Sequence, residues 1–147
     1  MNLATKTLTA ALFVVAGAAF AETEATDPIV IGHQDLMKSI AGASKVLGGM
    51  ASGSTAYDAA AAEAAKALLI KDAADIAVKF KEPGSDPASG AKPEIWTNWE
   101  DFVVKANALG TAATALDVAS ADSIKAGMGA VGGACKDCHT TYRLSTN

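Results

Sequence analysis

Two cysteines and two histidines are all the thiol and imidazole ligands that this 147-residue chain offers. A closed zinc site takes about four such ligands, so it would consume the whole supply and draw in His33 from far upstream of Cys135 and Cys138. Basic residues are outnumbered, 12 to 16, and a net charge of −4 argues against a nucleic-acid or anionic-membrane partner. Beyond residue 21 no apolar run approaches the ~20 residues of a membrane helix, so a protein not embedded in a membrane is expected. Nowhere do Val, Ile and Thr alternate with polar residues, which leaves no strand pattern. Ser/His/Asp sets, paired catalytic carboxylates and glycine-rich phosphate loops are missing too, and Glu100-Asp101 fits a solvated helix face. No enzyme is expected. Large apolar side chains are also few, with aromatics at 5% and alanine abundant. Small side chains fill little volume, so the centre of such a fold needs something else to occupy it.

The first 21 residues read differently from the rest. Lys6 precedes an apolar stretch from Leu8 to Ala19, and Ala19-Phe20-Ala21 has the small-x-small form of a signal peptidase site. A cleaved secretory signal over 1–21 is expected, leaving one domain over 22–147. Loss of Lys6 takes the net charge to −5.

Four helices follow from the punctuation. Asp27-Pro28 opens the first, with Asp as N-cap and Pro at the first helical position, and it runs to about Met50. The second is expected from Thr55 or Tyr57 to about Lys81. A long loop from Glu82 to Lys92 follows, rich in Pro, Gly, Ser and Asp. Pro93 starts the third, which reaches about Val118, and Ser120 or Asp122 caps the fourth, which continues close to the C-terminus. Apolar residues recur at alternating steps of four and three. Leu36, Ile40, Ala43, Leu47 and Met50 mark the first helix; Ile95, Trp99, Phe102, Ala106, Leu109, Ala113 and Leu116 the third; Ile124, Met128, Val131, Cys135, Cys138 and Tyr142 the fourth. The second is less regular, with Tyr57, Ala61, Leu68, Leu69, Ile76 and Phe80 expected inward. Such seams suit nearly antiparallel packing at shallow crossing angles. The fold class expected is all-α, an antiparallel up-down-up-down four-helix bundle.

Cys135-Lys136-Asp137-Cys138-His139 is a C-x-x-C-H motif, the spacing of covalent c-type haem attachment. Residues three apart share a helix face, so both thiols can reach the two vinyl groups of one porphyrin, with the His139 imidazole beside them for the iron. A thioredoxin-like pair would normally start a helix after a strand, whereas this one closes an all-helical chain. A plain disulfide would leave His139 and the underfilled core without a role. One covalently bound haem c is therefore expected inside the bundle. The other axial position has four candidates, His33, Met37, Met50 and Met128. Met50 and Met128 read as core and His33 as reaching solvent. Met37 lies at the edge of the first seam, near the level of His139, where core packing and iron ligation both stand open.

The chain resembles the class II c-type cytochromes, the cytochrome c′ and cytochrome c-556 family. The resemblance covers essentially all of 22–147. It rests on Cys135 through Arg143 (CKDCHTTYR), on Ile95-Trp96, and on His33-Gln34-Asp35-Leu36-Met37-Lys38. It implies a periplasmic monohaem electron carrier working with redox partner proteins, with Met37 as sixth iron ligand opposite His139 in a low-spin, c-556-like site. The alternative within the family is a five-coordinate, high-spin cytochrome c′ that binds NO or CO. The resemblance further implies that Gln34 meets a haem propionate and that Arg143 acts near the proximal histidine. His33 replaces the family's usual arginine. A homodimer through helices one and two is also implied.

Overall fold

A computed structural model describes residues 24–145, so the expected signal segment lies outside the described residues. Three of the helices begin where a short polar side chain satisfies free N–H groups. Asp27 accepts from Ile29 N at 2.7 Å and opens α1, Pro28–Ser52. That helix stops at Gly53, whose φ of 75° is a left-handed conformation that glycine adopts without steric cost. Asp58 accepts from Ala61 N at 2.8 Å and opens α2, Ala59–Lys79. Ser120 and Ser123 form a reciprocal capping box at the start of α5, Ala121–Tyr142.

The third expected helix differs. Instead of one helix from Pro93 to Val118, there is a single turn, α3 (Glu94–Thr97), and then α4 (Trp99–Ala115). Asn98 breaks the path with φ −130° and ψ 44°. Its amide is spent across the bundle, donating to the Tyr142 hydroxyl at 3.1 Å. Beyond Ala115, Leu116 turns extended, and it and Val118 stay buried while connecting to α5.

Hydrogen bonds at the helix ends fix the topology. His33 near the start of α1 meets Lys79 at the end of α2, the Trp96 indole donates to Phe80 O at 2.8 Å, and Tyr142 ending α5 meets Asp101 beginning α4. At the other end, the Tyr57 hydroxyl between α1 and α2 donates to Val118 O between α4 and α5. Neighbouring helices thus run antiparallel, up-down-up-down, and pack in the ring α1–α2–α4–α5. The five expected seam residues of α1 are all buried. In α2, Leu69 is buried but Leu68 is 39% exposed, since successive residues on a helix point about 100° apart and Leu68 falls at the edge of the inward face. Tyr57 precedes α2 and is also largely exposed, and Trp99 is half-buried.

Candidate haem-binding site

A cavity of about 1230 Å³ occupies the end of the bundle where α1 and α4 begin and α2 and α5 finish. It exceeds the usual 300–1,000 Å³ of small-molecule sites and suits a ligand as large as a macrocycle. Cys135, Cys138 and His139 line it from α5, with Arg143 just past the helix end, and Gln34 and Met37 line it from α1. All six expected site residues therefore border one space. Ile40, Ile76, Phe102 and Leu109 give it an apolar interior.

Both cysteines are free thiols, half-buried, one helical turn apart on the face that also carries the buried Val131 and Tyr142. Burial pushes the Cys138 thiol up to about 11 and raises Cys135 as well. An attacking redox cysteine needs the opposite shift, towards thiolate. His139 is half-buried, and burial first, then the Arg143 charge, lowers its pKa. The neutral imidazole is the form that ligates iron. Two thiols at vinyl spacing, a neutral imidazole beside them and a large apolar cavity together fit a covalently attached haem. Tyr142 completes this wall. Its hydroxyl donates to Asp101 Oδ2 at 2.6 Å, and burial together with that carboxylate lifts the phenol to about 12.

On the α1 side one expectation changes. His33 does not reach solvent; it is 4% exposed, stacks on Phe80 with ring centroids 4.0 Å apart and interplanar angle 9°, and its Nε2 lies 2.9 Å from Lys79 O. The last carbonyls of a helix lack intrahelical donors, and the imidazole supplies one to α2. Its Nδ1 is buried without a partner. Gln34 borders the cavity, but its amide donates to Ala88 O at 3.0 Å, fastening the 82–92 loop.

That loop is a wall of the site which sequence reasoning missed. Pro87 to Ala91 line the cavity. Asp86 Oδ2 accepts from the backbone N–H and hydroxyl of Thr26 and from Asp27 N, while Asp27 accepts from Ser85 N. These N–H donors hold the Asp86 carboxyl at about 2. At its far end, Lys92 N donates to Tyr142 O and Leu144 N to Gly90 O, so the loop is tied to both chain ends of the domain. Ser85-Asp86-Pro87 is a turn signal in the sequence, but its distant partners leave no local trace.

Residues 29–143 match the family model described as Cytochrome C′. A cytochrome c-556 from Agrobacterium fabrum (strain C58) is 36% identical over 151 residues, covering 98% of this chain and 99% of that protein. A cytochrome c′ from Cereibacter sphaeroides is 34% identical over 105 residues, covering 67% of this chain and 70% of that one. Among solved structures, an NMR-validated structural model of oxidised R. palustris cytochrome c556 superposes with a TM-score of 0.72 at 28% identity, over 82% of this chain and 98% of that one.

Proposed function

This chain belongs to the cytochrome c′ family of monohaem c-type cytochromes, and on that premise we propose that it is a periplasmic electron carrier of the low-spin c-556 type, without substrate chemistry of its own. When bound, the haem supplies an Fe(III)/Fe(II) couple. Cys135 and Cys138 would hold it as thioethers, and His139 and Met37 would offer an imidazole nitrogen and a thioether sulfur to its iron. A Met thioether favours electron transfer and a raised potential. One observation carries the Met37 assignment: it lines the same cavity as His139 from the facing helix, whereas Met50 and Met128 do not border that cavity and His33, which does, is stacked on Phe80 with its Nε2 bonded to Lys79 O. The apolar residues of the cavity would surround the macrocycle, and Arg143 sets a positive charge near His139.

The second reading is a five-coordinate cytochrome c′ that takes up NO or CO. It is favoured by the likeness to a cytochrome c′ and by the half-buried Met37, which also packs against the core. Optical spectra of the purified holoprotein separate the two. The carrier gives a sharp low-spin reduced spectrum and, when oxidised, the weak long-wavelength band of Fe(III)–Met ligation. Met37→Leu converts this to a high-spin spectrum that responds to CO. A wild-type spectrum that is already high-spin and CO-sensitive would favour the second reading. Haem that stays on the polypeptide through acid–acetone extraction tests the thioether bonds.

Export rests on the signal-like segment, and mass spectrometry of the secreted protein tests for a chain beginning at Glu22. Among the described residues no helix is long and apolar enough to cross a membrane. Redox partner proteins follow from the carrier reading. A homodimer through α1 and α2 would cover the exposed Val46 and Leu68, and sedimentation of the holoprotein tests it.

A further inference from the structure

Lys105 is a charged residue on the wall of an apolar cavity. It projects from α4, its side chain is only 20% exposed, and it shares the cavity lining with Cys138. Its ammonium donates to Asp137 Oδ2 at 2.6 Å, and Asp137 lies between the two cysteines of the attachment motif on α5. The pair thus ties the α4 wall to the segment that carries the haem. One turn before Lys105, Asp101 accepts from the Tyr142 hydroxyl. Both charges of the pair therefore lie beside the segment through which the porphyrin would be attached.

We propose that the Lys105–Asp137 pair is an electrostatic determinant of the haem's reduction potential, with Lys105 favouring the reduced form and Asp137 holding that effect in check. Reduction removes one positive charge from the haem. A nearby cation stabilises the state after that change and an anion the state before it, most strongly where little water intervenes. Asp137 is 67% exposed, so solvent weakens its share, while Lys105 is largely shielded. The two members therefore act with opposite sign and unequal size. The proposal rests on haem attachment at Cys135 and Cys138 and on the carrier reading.

The test is the midpoint potential of the holoprotein, measured beside its optical spectrum. Asp137→Asn leaves the Lys105 charge uncompensated and moves the potential up. Lys105→Gln moves it down, and by more. Lys105→Arg keeps the charge and stays close to wild type. Both shifts shrink at high ionic strength, and the axial-ligand bands do not change. A merely structural role would move the two variants in the same direction or alter those bands, and either result overturns the proposal. So does a reversible couple that ignores both substitutions, which leaves the carrier reading intact. A haem with no reversible couple removes both.

Discussion

Replacing His33 by Phe isolates what the buried imidazole contributes. The phenyl ring keeps the volume and the stacking on Phe80, but it cannot donate to Lys79 O. Leaving a buried acceptor unmet costs about 1–3 kcal/mol. The wild type already bears an unpartnered Nδ1, which the phenyl removes, so the net loss at pH 7.5 falls near the lower end, about 1 kcal/mol. The pH dependence is the sharper part. Burial lowers the His33 pKa below 6.5, outweighing the Lys79 and Glu82 carbonyls and the Asp27 charge, which raise it. A depressed folded-state pKa means that the unfolded chain takes up this proton first as pH falls. The stabilisation is fully present above 6.5 and is lost as pH drops from there towards the folded-state value, by at most about 1.4 kcal/mol per pH unit. The Phe variant has no such loss. Guanidinium unfolding of both holoproteins at pH 7.5 and 5.5 should show their stability difference narrowing, or changing sign, at the lower pH. A difference that is constant or widens would refute the reasoning, and with it the buried, neutral state of His33.

Two further substitutions test the walls around the cavity. Gly84 has φ 62°, and a methyl group there would sit 2.7 Å from Val30 Cγ2, so Gly84→Ala should cost at least about 1–2 kcal/mol by thermal unfolding. Tyr142→Phe removes a hydrogen bond to a carboxylate and leaves Asn98 short of an acceptor, and a loss of about 2 kcal/mol is expected in the same assay.

The regular helices were legible because their burial is periodic and their caps are local. Leu36 to Met50 follow one seam, and Asp27-Pro28 and Ser120 announce their helices without reference to anything distant. Irregularity was legible only where a local signal existed. In α2 two adjacent leucines compete for one inward position, and composition cannot say which wins; packing against α1 and α4 selects Leu69. The break at Asn98 has the same character. Asn is tolerated in a helix, and the Tyr142 hydroxyl, at the far end of the chain, turns it into a stop.

The first turns of α1 show why the cysteine side of the site could be read from spacing and the facing side could not. Cys135, Cys138 and His139 are neighbours in the chain, so helical geometry alone brings them together. His33, Gln34 and Met37 are also neighbours, yet each is decided by something remote. Lys79 O takes His33, Ala88 O takes Gln34, and the cavity opposite His139 receives Met37. Two of those outcomes narrow the third. The His33 Nε2 and the Gln34 amide nitrogen are committed to backbone carbonyls of α2 and the loop, whereas Met37 meets the cavity with no such commitment, which supports its proposed role. His33 borders the cavity as well, and its stacking on Phe80 and bond to Lys79 O make it a joint between α1 and the end of α2.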